Sequence, residues 1–349
     1  MQQHTRSIYF DVVKGVAISL MVLGHCIDQA NGWNWIVQGT SSSYWPWRII
    51  ASFHMPLFML VSGYFFSHSL AKYGIAQVIR QRALGLLVPS TLWSMLFIGL
   101  CYALYHLMYG GVRTPQLHAY LYRPIPALWF LWALFFSCCI VAAVRFWAKD
   151  SFWIHTAIIV GTLFVPNVHF FPEVFSVHPF FVVAYYIGQH RDRVTIWLAR
   201  RGVLLGLFIA FGLIYAILLL GMDNATTVYV SKFSLWGPLG VVEMLYRDTY
   251  RLLLGFSGSA VVLILIHYLR PLLKQLSFER DLAYCGTVSL GIYGLNNILC
   301  MPPRLLLIDA SPSPMRVWIV FVLMMFISMA VMKLLSRWHW SNKWLLGKL

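Results

Sequence analysis

The chain consists of long apolar runs that follow one another with only short polar connections. About 20 apolar residues are enough to cross a bilayer as a helix. Because lipid satisfies no backbone hydrogen bonds, a chain with many such runs folds as a bundle of membrane-spanning helices. The sequence therefore predicts one all-α polytopic membrane domain over 1–349. Its ten predicted spans are 8–28, 49–70, 84–106, 126–147, 152–170, 174–190, 203–222, 250–270, 284–304 and 315–337.

Charge is sparse and strongly positive. Charged residues make up 11% of the chain, whereas a soluble domain is about a quarter charged. A net charge of +15 would suggest nucleic acid in a soluble protein. Here the basic residues lie in short clusters between apolar runs, so topology and lipid headgroups explain them, and no nucleic-acid partner is expected. The six cysteines show no CxxC spacing, so neither a disulfide framework nor a metal site is predicted.

The basic clusters are unevenly distributed. Most lie at the N-terminus, in the even-numbered connections and in the C-terminal tail. Positively charged loops stay in the cytoplasm, so both termini are predicted there. The outer connections are rich in aromatic side chains, which serve as interfacial anchors or as a surface for stacking sugars. These side chains are Trp33, Trp35, Tyr44, Trp45, Trp47, Tyr229 and Trp236.

The first predicted span carries ionisable side chains, which are rare within membranes and usually functional. His25 and Asp28 lie near its outer end, and His54 lies near the outer end of the second span. Asp28 shares a helical face with His25 and could orient the imidazole, so that His25 takes a proton as a catalytic base. Alternatively, His25 only bonds another helix, and His54 has a structural role beside Pro56. The two histidines and Asp28 could bind a metal, but their spacing does not require one.

Other polar side chains fall at two depths. Trp129, Tyr293 and Asn296 are predicted at the outer level with the histidines. At the cytoplasmic level, Lys14, Arg80 and Arg82 could hold phosphates through charge-assisted hydrogen bonds. The alternative is that both arginines only set topology, and that Lys14 only pairs with Asp11 three residues earlier.

Several segments resemble the membrane-bound acyltransferase family 3, bacterial O-acyltransferases of glycans. Residues 11–17 followed by Gly24 and His25 resemble the first span of that family, and residues 53–64 resemble its second-span motif. Residues 128–131, 288–293 and 342–348 resemble later elements of the family, in the expected order. The resemblance thus extends over nearly the whole chain.

The resemblance implies ten helices, a cytoplasmic acyl-CoA donor, usually acetyl-CoA, and a sugar hydroxyl as acceptor on a cell-envelope glycan or lipid-linked sugar. No bound cofactor is implied. The family's essential histidine corresponds to His25, as base or acyl carrier. Its Arg-x-x-Arg pair corresponds to Arg82 and Gly85, so the second arginine is missing and Arg80 is the candidate replacement. Many relatives have histidine where this chain has Asn296.

Two other functions fit the same pattern. A transporter or flippase for a glycan precursor would have a similar number of helices and a similar aromatic outer surface. A membrane partner subunit without chemistry of its own would tolerate substitution of His25 and His54. Acylation that depends on acetyl-CoA would distinguish the enzyme from both.

Overall fold

The computed structural model describes residues 8–31, 44–109, 128–162, 164, 171–198, 200–222, 241–307 and 311–348. These residues form helices and short connections without strands, which confirms the all-α prediction. The helices are α1 (Ile8–Ala30), α2 (Trp45–Tyr73), α3 (Ile75–Arg82), a π-helical turn (Ala83–Leu87), α4 (Val88–Tyr109), α5 (Trp129–Ala148), α6 (Phe152–Thr162), α7 (Phe171–Gln189), α8 (Arg191–Leu198), α9 (Arg201–Gly221), α10 (Val241–Gln275), α11 (Phe278–Thr287), α12 (Ser289–Leu299), α13 (Met301–Leu306), α14 (Pro314–Leu335) and α15 (His339–Trp344).

Seven helical rods among the described residues are long and apolar enough to cross a membrane. They are α1, α2, the continuous rod of α3, the π-helical turn and α4, and then α5, α9, α10 and α14. The other three predicted spans correspond to α6, which has only 11 residues, to α7, and to α11 and α12, which are interrupted at Val288. The chain is polytopic as predicted, while the number of ten spans and the cytoplasmic termini stay predictions.

Helix α1 lies at the centre of the bundle and packs against α2, α10, α11, α12 and α14. Its closest neighbour is α11, where two glycines face each other's backbone. A Cβ atom on Gly15 would lie 2.6 Å from the carbonyl carbon of Leu282, and one on Gly286 would lie 2.8 Å from that of Asp11. Small residues allow such close approach of membrane helices. The crossing therefore fixes the N-terminal half of α1 against α11.

Helix α2 packs most extensively against α7. Gly63 permits this contact, because a Cβ atom there would lie 3.0 Å from the carbonyl carbon of Phe181. Helix α7 in turn packs against α5. The segment after α15 closes another side of the bundle, where the Trp93 indole donates to the Leu345 carbonyl at 3.0 Å. These contacts place α1, α2, α5 and α12 around a common interior.

Candidate functional site

A cavity of about 130 Å³ lies between α1, α2, α5 and α12. Its walls are mostly leucine, isoleucine, methionine and phenylalanine side chains, with Leu86 contributed by the π-helical turn. Four polar or charged residues also line it, namely Lys14, Ser62, Ser289 and Tyr293. The cavity is thus a narrow apolar space with a few polar groups along its length.

One face of α1 connects the cavity to His25. Lys14, Ile18 and Met21 line the cavity, and His25 follows Met21 by four residues, so all four share one helical face. At 1.5 Å rise per residue, His25 lies about 16 Å along the helix from Lys14. His25 is half-buried and makes no hydrogen bond to the described residues. Its ring therefore lies one turn beyond the cavity, on the face that lines it.

Helix α2 places a second imidazole at that level. Met55, Phe58 and Ser62 line the cavity, and His54 precedes Phe58 by one turn. His54 is buried, and its Nδ1 lies 2.7 Å from the Ile50 carbonyl oxygen. A carbonyl only accepts, so in the neutral ring Nδ1 carries the proton and Nε2 has the lone pair. The two imidazoles are close enough for a charge on one ring to act on the other.

Asp28 has a different partner from the one expected. The Trp47 indole of α2 donates to its Oδ2 at 3.1 Å, and no hydrogen bond joins Asp28 to His25. Three residues along a helix leave a difference of about 60° in direction, and here that difference turns the carboxylate toward α2. Asp28 therefore links α1 to α2, and its orientation of His25 stays a prediction.

Lys14 is part of an ion pair at the other end of the cavity. Its Nζ lies 2.9 Å from Oδ1 of Asp11, which is the alternative that the spacing of the two residues left open. Lys14 nevertheless lines the cavity, so the pairing does not remove it from the candidate site. The carboxylate holds the ammonium group in place there.

The two arginines of α3 point in different directions. Arg82 is half-buried, donates to the Ser69 hydroxyl at 3.4 Å and lies 6.0 Å from the centre of the Phe66 ring. One turn later, Leu86 lines the cavity. Arg80 is exposed on the surface. Only Arg82 therefore faces the interior of the bundle near the cavity.

The three predicted acceptor-binding residues differ in position. Tyr293 lines the cavity, and its ring centre lies 6.5 Å from that of Phe130, another lining residue. Asn296 follows Tyr293 by one turn; it is 1% exposed, and neither polar atom of its amide has a hydrogen-bond partner among the described residues. Trp129 is half-buried beside Phe130 but does not line the cavity.

Sequence reasoning missed several residues of the cavity wall. Phe58 and Ser62 follow His54 at four-residue intervals, so helical spacing could have identified them. Phe130 and Ser289 lie in the segments 128–131 and 288–293, so the resemblance of those segments to the family is the signal that could have identified them. Among the described residues, no three His, Cys, Asp or Glu side chains converge as metal ligands.

The aromatic outer surface is only partly described. Trp33, Trp35, Tyr229 and Trp236 lie outside the described residues. Trp45 is exposed, and the guanidinium of Arg48 lies 5.0 Å from the centre of its ring. With Trp47 bound to Asp28, the described aromatics act in helix contacts, and the sugar-stacking surface stays a prediction.

Comparison with known proteins gives one family and two relatives. The family model described as an acyltransferase domain, of the acyltransferase 3 type, matches residues 7–333. Nodulation protein NolL of Mesorhizobium japonicum is 30% identical over 190 residues, which cover 53% of this chain and 49% of that protein. NolL of Sinorhizobium fredii is 29% identical over 191 residues, covering 53% and 50%. The chain spans about half the length of these curated relatives, and no solved structure matches it.

Proposed function

The chain belongs to the acyltransferase 3 family, and on this premise we propose that it is an O-acyltransferase of the bacterial inner membrane. It transfers an acyl group, in the first instance acetyl, from cytoplasmic acyl-CoA to a hydroxyl of a cell-envelope glycan or lipid-linked sugar. The observation that carries the proposal is the apolar cavity. It has a cation in its wall, and two imidazoles lie one turn beyond its other end.

Arg82 and Lys14 define the donor end. Acyl-CoA carries several phosphates, which guanidinium groups bind through charge-assisted hydrogen bonds. Arg82 makes one long hydrogen bond to a neutral hydroxyl, so most of its N–H donors are available for a phosphate. Arg80 is exposed on the surface, which leaves it the weaker candidate for this site. We therefore assign phosphate binding to Arg82, and the entry of the acyl-bearing arm to the wall beside Lys14.

His25 is assigned the chemistry. In the transfer, the ester C–O bond forms as the thioester C–S bond breaks, and the hydroxyl proton passes to the imidazole and then to the thiolate. If His25 carries the acyl group instead, the same atoms move in two steps. His54, whose tautomer is fixed by Ile50, supplies a second imidazole beside it.

Tyr293 and Asn296 are assigned to the acceptor. A buried amide without partners is expensive to keep, and a sugar hydroxyl both donates and accepts, so it can satisfy such an amide. Asn296 lies one turn from the cavity-lining Tyr293 and offers one donor group and one acceptor group there. It thus replaces a titratable histidine with a neutral side chain that holds the acceptor.

A His25→Ala variant tests the proposal, with the exposed His106→Ala as its matched control. The assay supplies acetyl-CoA to membranes containing the full chain, follows release of the free thiol, and weighs envelope glycans by mass spectrometry. We expect the glycan to gain the mass of an acetyl group, and His25→Ala to lose at least about 100-fold in rate. A folded His25→Ala variant that transfers as fast as wild type would exclude this role. Substrate uptake into vesicles without thiol release would indicate the transporter instead.

A further inference from the structure

A second group of buried polar side chains lies away from the cavity, between α5, α6 and α7. His155 of α6 and His178 of α7 are each 1% exposed, and none of their four ring nitrogens has a hydrogen-bond partner among the described residues. The two rings are close enough for their charges to interact. Buried polar groups almost always pair with protein or with ordered water. Since the described part of the chain offers these nitrogens no partner, ordered water can fill that role.

A hydrogen-bonded network lies between His155 and the surface of the protein. The Tyr185 hydroxyl donates to Oδ1 of Asp150 at 2.9 Å, and Gln189 donates to Oδ2 at 3.0 Å. Arg145 pairs with the same carboxylate at 3.3 Å, and the side chains of Arg145 and Asp150 are 32% and 19% exposed. The ring centre of His155 lies 6.5 Å from that of Tyr185. The network therefore reaches from solvent to the first buried histidine.

The other end of the group approaches the floor of the cavity. Arg145 donates to the Tyr185 hydroxyl at 3.2 Å, which aligns α5 with α7. His178 precedes Tyr185 by seven residues on α7, and Ser137 precedes Arg145 by eight residues on α5. The Ser137 hydroxyl is also buried, without a hydrogen-bond partner among the described residues. Ser137 follows the cavity-lining Leu134 by three residues. Polar groups thus continue from Asp150 to a level one turn from the cavity.

We propose that a water-filled passage runs from Asp150 past His155 to His178, and that it carries protons between the surface and the floor of the cavity. Each imidazole accepts a proton on one nitrogen and releases a proton from the other. A chain of rings and water molecules therefore conducts protons without a net change in the protonation of the rings. The groups facing the passage are Arg145, Asp150, Tyr185 and Tyr186. The passage does not depend on acyl transfer, but it would give a base in the cavity a second route to water.

Exchange of the histidine C2 hydrogen for deuterium tests this in the intact protein. The detergent-solubilised chain is incubated in D₂O over a pH series, and each histidine is quantified by mass spectrometry. The exposed His190 at the end of α7 is the internal control. We expect His155 and His178 to exchange within about tenfold of His190, with rates that rise with pH to a plateau. Rates about 100-fold or more below His190, without pH dependence, would show a dry pair and overturn the proposal.

A Tyr185→Phe variant locates the entrance. It keeps the ring and removes the hydroxyl that binds Asp150 beside His155, so exchange at His178 should slow while exchange at His190 stays unchanged. Ser328→Ala is the matched control, because it removes an equally buried, unpaired hydroxyl from α14. Unchanged exchange at His178 in Tyr185→Phe would contradict the passage. If that variant does not fold, the pH series on the wild-type chain decides. No step uses acyl-CoA, so the result is independent of the acyltransferase assignment.

Discussion

Replacing Gly286 by alanine tests the crossing of α1 and α11 on which the position of Lys14 depends. The new Cβ atom would lie 2.8 Å from the carbonyl carbon of Asp11 and 3.0 Å from the amide nitrogen of Gly15, with the Asp11 carbonyl oxygen closer still. All three are backbone atoms, so no side-chain rotation relieves the overlap. The two helices must separate by about 1 Å to restore ordinary carbon contacts of about 3.5–4 Å.

The size of the effect follows from this separation. Overpacking a well-packed interior costs about 1–3 kcal/mol, and we expect about 3 kcal/mol because rigid backbone has to move. A loss of that size lowers Tm by about 5 °C in a chain of this length. The separation also displaces Asp11 and Lys14, so the rate of acyl transfer should fall with the stability.

Thermal unfolding in detergent, followed with a thiol-reactive dye, measures the loss. Cys26, Cys138 and Cys285 are buried and react only once the bundle opens. Gly206→Ala in α9 is the matched control, since its added Cβ would have no described atom within 4 Å apart from those of its own helical turns. Alanine favours a helix over glycine by up to about 1 kcal/mol, so this control should be neutral or slightly stabilising. A Gly286→Ala protein that melts at or above the Tm of the control would refute the reasoning.

Three further predictions concern the candidate site. Arg82→Ala should raise the KM for acetyl-CoA about 10- to 100-fold, because a charge-assisted hydrogen bond contributes about 1.5–3 kcal/mol. The exposed Arg80→Ala should leave that KM nearly unchanged. Initial rates of thiol release measure the KM of both variants. Asn296→Leu should lower kcat/KM for the acceptor about tenfold without changing the KM for acetyl-CoA. If the variant instead keeps wild-type kinetics and has a raised Tm, the Asn296 amide does not bind the acceptor. Trp47→Phe removes an indole donor to Asp28. It should lower the unfolding free energy by about 1.5–3 kcal/mol and leave kcat unchanged. A large fall in kcat at an unchanged Tm would indicate that Asp28 orients His25.

Much of the helical layout could be predicted, because apolar runs and their lengths are local properties. The ends of the helices could not. Helix α10 begins at Val241, before the predicted span 250–270, and the pair between Glu243 and Arg247 at 2.6 Å stabilises its first turns. The helix is interrupted at Val288, where the sequence has no proline that would predict the interruption. Val288 lies two residues after Gly286, whose close contact with α1 appears only in three dimensions.

The site was predictable in depth but not in direction. Depth follows from rise per residue, so the sequence predicts His25 and His54 at one level, and in the structure each lies one helical turn from a residue that lines the cavity. Direction depends on which neighbouring helix each side chain meets, and a single helix does not contain that information. This is why Asp28 bonds Trp47 rather than His25, and why Arg82 faces inward while Arg80 is exposed. The assignment of Asn296 to the acceptor stays a prediction, and its lack of partners among the described residues could not be known from sequence.

The apolar lining of the cavity affects how fast water can hydrolyse a bound acyl donor. An activated ester is hydrolysed whenever water attacks it before the acceptor alcohol binds. Walls of leucine, methionine and phenylalanine offer water few hydrogen bonds, so under the proposed function a thioester bound there would be hydrolysed slowly until an acceptor binds. Idle enzyme would then drain little of the metabolic pool from which the donor is drawn.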